Sequence, residues 1–475
     1  MEFSSLFFLY IFLPLTLAVY FLVPSMRAKN AVLTVASLIF YATGRPLYLL
    51  VLLGSAFVNY ALGKRVQPNR RGTLVLPVAV NLLLLVFFKY LNFFLGIFGI
   101  HGAEGGDVLK LALPLGISFF TFQAIAYHAD IYRGKTQPAA QFSKLLLYLS
   151  MFPKMPVGPI VRYSEVEPQL MRRRTNSRAI FEGGIRFLVG LAKKVLIADY
   201  AAKVITELAP AQIGMAAWFS ALMYMFQIYF DFSGCSDMAI GLGRVFGFRY
   251  CENFDLPYAS RSVTEFWRRW HMSLGSFFRD YVYIPLGGNR KGKARQILNM
   301  AVVWALTGLW HGASWNYILW GLYFFVLLSV EKQLMPKLES WPFLLRNLLT
   351  MFFVLMGWVI FSHENLSELG AAFAAMFAPK QFWSGAVWVQ IRNSLPLFLL
   401  CIVGSSVLPR WFSLIWSGLF AQKQECRANR AFARKITVRK VIYAVSLFAY
   451  GLLLLWLCTV SLVGSTGAPS LYAAF

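Results

Sequence analysis

Two histidines in this chain occupy positions where a buried base could act. His311 closes an apolar run, Asn299 to Leu309 (NMAVVWALTGL), and lies within Gly308–Asn316, GLWHGASWN. A basic cluster, Arg290, Lys291, Lys293 and Arg295, precedes the run. At about 1.5 Å of rise per residue, a helix from Arg295 reaches His311 after roughly 24 Å. The hydrocarbon core of a bilayer is about 30 Å thick, so the imidazole stops inside it. An ionisable group at that depth is costly unless it faces water or a partner, which makes function the default reading. Gly312 is read as the residue that lets the helix break there. His271 lies in Glu265-Phe-Trp-Arg-Arg-Trp-His-Met-Ser-Leu-Gly275. A helix through that segment would place Trp267 and His271 on one face at i, i+4; a hydrogen-bonded structural histidine fits equally well. An imidazole titrating near pH 6.5 suits general-base work. Inside a membrane protein, such a base could deprotonate a hydroxyl that attacks an activated acyl group.

Around the pair stand groups that could support it. The segment of His271 adds Glu265, Arg268, Arg269 and Trp270, with Asp280 just beyond; that of His311 adds Trp310 and Asn316. Asp231 lies at the end of a membrane-type run, 214–232, and Asp237 follows it. They could orient a base, pair with Arg244 or Arg268, or cap a next helix over 237–248. His101 and His363 fall in loops and read as solvated, and His128, among apolar residues, reads as structural. No H-E-x-x-H or comparable ligand spacing occurs, so no metal site is expected. A P-loop, a G-x-S-x-G elbow and a dinucleotide fingerprint are all missing, which leaves ATP-driven pumping and serine-triad hydrolysis without support. The five cysteines (235, 251, 401, 426 and 458) show no C-x-x-C spacing and read as buried thiols.

The elements that must hold these residues are membrane helices. Of the 475 residues, 58% are hydrophobic, 17% aromatic and only 14% charged, against about a quarter charged in a soluble domain. Roughly a dozen spans or part-spans follow from hydropathy. The clearest are 4–23, 46–63, 72–90, 214–232, 315–330, 343–361, 391–409 and 441–463; less regular pieces lie at 31–43, 109–127, 142–157, 184–198 and 297–310. The fold class is thus all-α and polytopic, and with no polar linker or internal repeat it reads as one membrane domain over 1–475. Residues 4–23 read as a retained first span, because a basic region ahead of them is missing.

Lys plus Arg exceeds Asp plus Glu by 45 to 20, a net charge of +25. The excess falls in loops between spans, with eight basic residues from Arg261 to Arg295 and eight more from Arg410 to Lys440. That pattern places the basic loops in the cytoplasm and both termini outside. It argues against nucleic-acid binding and predicts membrane lipid as the surroundings. Residues 411–440 read as either an interfacial amphipathic helix or a solvated basic loop. Three segments resist a simple spanning helix: 113–134, 152–163 with its three prolines, and 253–289. Irregular backbone at membrane depth must be buried in protein or line a wet cavity, so re-entrant pieces around an internal site are expected.

On these residues the chain resembles the membrane-bound O-acyltransferases, and most of all their bacterial branch that O-acetylates alginate and other exopolysaccharides. The resemblance rests on LPLGISFFTFQAIAYHADIYRG (113–134), FPKMPVGPIVRY (152–163), YFDFSGCSDMAIGLG (229–243), then ENFDLPY, TEFWRRWHMSL and FFRDYVYIPLGG within 252–288, and GLWHGASWN. It covers most of 1–365, with core motifs in 113–316, and loosens in the last hundred residues. It implies a ring of helices around a central tunnel, with His311 as general base and His271 as second base or orienter. It further implies an acetyl thioester donor, acetyl-CoA in the first instance, and no bound cofactor. The acceptor would be an exported polysaccharide, with an exported acetyltransferase or esterase-like partner completing transfer at the bacterial inner membrane. A channel for an acyl carrier and a scaffold of an export complex are the alternatives; the inverted repeats common in transporters are not visible. His128, Met155-Pro156-Val157, Cys235 and the ending Leu471–Phe475 depart from the group's pattern.

Overall fold

A computed structural model describes residues 1–102, 108–109, 112–211, 213–420 and 430–464. Helices make up its regular structure, and no strand occurs among the described residues. Among the described residues, five helices are long and apolar enough to cross a membrane: Gly72–Ile97, Trp315–Leu334, Phe343–Ser362, Gly385–Ser405 and Val441–Val463. Phe8–Leu22, Tyr48–Gly63 and Leu366–Phe377 are shorter apolar helices. Of the segment 411–440, the helix Leu408–Phe420 and the start of Arg430–Val463 are seen, while 421–429, the acidic residues Glu104 and Asp107, and the ending 471–475 lie outside the described residues.

The longest buried helix, Gly214–Val245, organises the rest. It crosses Ser177–Ala192 at a glycine seam. A Cβ on Gly183 would lie 2.7 Å from the Gly241 carbonyl oxygen, and one on Gly190 2.5 Å from that of Gly234. Gly234 and Gly241 meet the same obstacle in return. Small residues at this spacing let two backbones touch, which is how helices pack where no hydrophobic drive separates them from lipid. The seam carries charge at its edges: Asp237 pairs with Arg186 (2.8 Å) and Lys193 (2.7 Å), and Asp231 with Lys194 (3.0 Å). Lys193 and Lys194 open a π-helical stretch, Lys193–Ala198. The expected pairings with Arg244 and Arg268 are corrected accordingly; Arg244 pairs with Glu182 instead. No helix starts at 237 either, because Gly214–Val245 runs straight through it.

Two of the three irregular segments behave as read. Residues 151–162 form no helix and are almost wholly buried, and 253–289 break into short pieces. The third does not. Ile117–Tyr132 is a regular, buried helix whose only unusual residue is its N-cap, Gly116, at φ 66°. Inside it His128 shares a hydrogen bond of 2.8 Å with Asn59, and Asp130 accepts one of 2.9 Å from the Tyr281 hydroxyl.

Candidate functional site

The helix Lys293–His311 ends on the histidine that the sequence singles out. Gly312 leaves it in an extended conformation, φ −170°, which any residue can adopt, so conformational freedom is not why glycine stands there. A Cβ at that position would run into the Tyr317 ring. Gly308 and Gly321 are needed for the same kind of reason: each abuts a backbone carbonyl across the hairpin formed with Trp315–Leu338. The hairpin brings Trp320 within 5.0 Å of the His311 ring, centroid to centroid, and Phe361, which packs on Trp320, lies 5.1 Å from it. Asn316 is fully buried and directs its amide to the carbonyls of Ile360 (3.4 Å) and Phe361 (3.3 Å).

His271 reaches the same place from a different element. The helix Val263–Arg269 stops short of it, and His271 takes a left-handed conformation, φ 44° and ψ 53°, as the N-cap of Met272–Phe278. The expected i, i+4 face with Trp267 therefore does not form. Trp267 turns into an aromatic cluster with Trp304, Trp320 and Phe324. Asn253 holds the strained residue. Its Oδ1 accepts from the Ser273 amide (3.2 Å) and hydroxyl (2.9 Å) and lies 3.1 Å from His271 Nδ1, while its Nδ2 donates to Ser236 (3.0 Å). A backbone N–H can only donate, so Ser273 fixes which end of the amide is oxygen. His271 Nδ1 must then carry the proton, which leaves the lone pair of the neutral ring on Nε2. That Nε2 is buried and has no hydrogen-bond partner.

Trp310 packs on both imidazoles. Its ring centroid is 4.8 Å from His311 and 5.9 Å from His271, and its N–H, like that of Trp320, has no hydrogen-bond acceptor. Buried polar atoms are usually satisfied, so the His271 nitrogen and the two indole donors are groups free to meet a substrate. The Ser273 hydroxyl also accepts from the Ile160 amide at 3.0 Å, which ties the proline-rich segment to the same floor. A cavity of about 530 Å³ reaches Asn253 and Met272, the residues that flank His271, and is bordered by Arg186, Lys193 and Arg410.

The other residues singled out from sequence serve different ends. Trp270 packs on Trp358 at 4.8 Å. Glu265 pairs with Arg269 (2.7 Å) and accepts from the Arg261 amide, closing the start of its helix; Arg268 is seen in no contact with either imidazole. Asp280 pairs with Arg162 and Arg279. Asp231 and Asp237 remain with the lysines and arginine of the glycine seam. Sequence reasoning missed Asn253 and also Lys89, whose ammonium donates to the backbone beside His311. Lys89 carried a legible signal, being the only charge between Gly72 and Ile97.

Fold and site together define a polytopic, all-helical membrane protein with two imidazoles buried around one indole. The sequence profile of the membrane-bound O-acyltransferase family matches residues 139–369. A probable alginate O-acetylase AlgI of Pseudomonas syringae pv. tomato is 42% identical over 394 residues, covering 80% of this chain and 75% of that protein. The peptidoglycan O-acetyltransferase of Helicobacter pylori is 37% identical over 416 residues, 77% and 78% of the two chains. A teichoic acid D-alanyltransferase of Bacillus subtilis is 29% identical over 270 residues, 52% and 68%. The chain belongs to the membrane-bound O-acyltransferase family. It is an acyltransferase, and its reaction requires an acyl donor.

Proposed function

We propose that this protein transfers acetyl groups from a cytoplasmic thioester, acetyl-CoA, toward the hydroxyls of an exported polysaccharide at the bacterial inner membrane. His311 takes the proton of the attacking hydroxyl. The oxygen then bonds to the thioester carbonyl carbon, the C–S bond breaks, and the thiolate leaves to be protonated by the imidazolium. His271, with its lone pair on Nε2, orients the donor or acts as a second base. The negative charge that develops on the carbonyl oxygen needs donors already in place, and the unpaired N–H groups of Trp310 and Trp320 are of that kind. The observation that carries the reading is the unpaired His271 Nε2 and the His311 ring packed on one and the same indole.

Two cavities support delivery from two sides. Ser236 and Asp237 border the one that reaches Asn253 and Met272 beside His271. Cys235 and Met238, on the other face of the same helix, border a second of about 280 Å³ that also touches Arg45 and Leu113. The first, where Arg186, Lys193 and Arg410 face Asp237, Glu252 and Asp255, is assigned to the donor because the neighbouring basic loops are read as cytoplasmic; the second lies toward the loops read as external. An exported esterase-like partner would receive the group there. Identity to the alginate and peptidoglycan O-acetylating relatives supports a polysaccharide acceptor. The test is the O-acetyl content of the exported polysaccharides in cells with the wild-type protein, with His311→Ala at matched membrane level, and with the gene deleted. Acetylation at the deletion level in His311→Ala is expected, and the affected polymer names the acceptor. Acetylation that survives the substitution but not the deletion would transfer the case to a channel or scaffold.

A further inference from the structure

The helix that carries His311 ends abruptly, and its last carbonyls have no partners within the helix. They are met from the helix Gly72–Ile97. Tyr90 donates its hydroxyl to the Leu309 carbonyl at 2.8 Å. Lys89 Nζ donates to the Trp310 carbonyl at 2.6 Å and lies 3.3 Å from that of His311. Three consecutive carbonyls are thus held by two consecutive side chains. In a regular α-helix, neighbours point about 100° apart and could not grip one target so closely. Here Val86–Tyr90 is a π-helical stretch, and such widened turns re-aim side chains at functional sites. The ammonium also lies 5.8 Å from the Trp310 ring centroid, so it meets both the backbone of the base and the indole that packs on both imidazoles.

A lone ammonium in an apolar span is expensive and calls for a reason. The negative end of a helix is one place where a cation is welcome, and this helix end bears the base. We propose that Lys89, assisted by Tyr90, is a positioning residue for His311: it fixes the end of the helix and thereby the direction of the imidazole and of the Trp310 indole. The proposal rests on the reading of His311 as general base.

The test uses full-length protein in lipid nanodiscs, which leave both faces accessible, at matched amounts with radiolabelled acetyl-CoA and the exported polymer, and measures kcat and the donor KM. Lys89→Met should lower kcat about ten- to a hundredfold, the effect of losing a charge-assisted hydrogen bond at the reacting group, and leave KM unchanged. Lys89→Arg, which keeps a cation and donors at that place, should recover most of the rate. If Lys89→Met does not accumulate, Tyr90→Phe keeps the cation and should lower kcat about threefold at constant KM, as befits one neutral hydrogen bond. A kcat within twofold of wild type in Lys89→Met, or an arginine variant as poor as the methionine one, overturns the clamp. A His311→Ala protein that keeps the wild-type rate overturns the base reading itself, a separate failure that the same series exposes.

Discussion

Asn253→Ala is the most informative perturbation outside the histidines, because the residue takes no part in the proposed proton transfer and yet sets the state of His271. The side chain is almost fully buried and makes the four contacts to Ser236, Ser273 and His271 given above. At about 0.5–1.5 kcal/mol net for each hydrogen bond, their loss costs roughly 2–6 kcal/mol of stability. The effect on rate is separate and smaller. Holding His271 in a left-handed conformation costs about 1–2 kcal/mol, and the Nδ1–H···Oδ1 bond that offsets this also selects the tautomer. Freeing the ring to populate other states by that amount lowers the rate about five- to thirtyfold. Initial rates of acetyl release by membrane vesicles, normalised to folded protein, measure it. The decisive arm is the double variant. If Asn253 acts through His271, adding Asn253→Ala to His271→Ala should cost nothing further in rate. Full additivity, or an Asn253→Ala rate within twofold of wild type, would refute the reasoning.

Three more outcomes follow from the fold. Gly241→Ala puts a methyl 2.6 Å from the Gly183 carbonyl oxygen and 2.7 Å from the Phe187 nitrogen; both are backbone, so the helices must part, at about 1–3 kcal/mol. A lower unfolding temperature in detergent would register it, while Gly184→Ala, with open space around it, should be neutral. Asp237→Ala strands Lys193 and half of the Arg186 pairing, and should destabilise by about 2 kcal/mol, discounted from fully buried pairs because these side chains keep some exposure. Asp280 gives a pH dependence. Burial alone would raise its carboxyl, but Arg279 and Arg162 outweigh that and hold it below the ordinary carboxylate range. The stabilisation is therefore present above pH about 4 and lost as the pH falls through the depressed value. Unfolding temperature measured across that range should show an acid step that Asp280→Asn removes.

Much of this was legible from residues close in sequence and little from residues far apart. The 293–311 helix, its end at His311 and the non-helical run at 151–162 all followed from local rules: apolar length, a basic start, and prolines that forbid a helix. His271 was visible as a residue type, but its left-handed backbone was not, because glycine usually marks that conformation. The partners of Asp231 and Asp237 escaped for another reason. They sit on a helix that begins near residue 177, and the nearby arginines drew attention from the lysines across the seam. Asn253 was hidden in the same way, since an asparagine in a loop looks like a turn residue until Ser273 folds back on it. Lys89 should not have escaped, since a single charge in an apolar span is a signal by itself.

The glycine seam also bears on how the protein is made. The Ser177–Ala192 helix and its π-helical continuation bring Arg186, Lys193 and Lys194 toward the membrane. Each such charge resists insertion by about 2.5–3.5 kcal/mol when it reaches the helix centre. Lys194 finds one counter-charge close by in Asp199, but Asp231 and Asp237 are synthesised later, on the helix that the glycines press against these cations. The charges of the earlier helix are therefore fully matched only once the 214–245 helix has been made and packed against it.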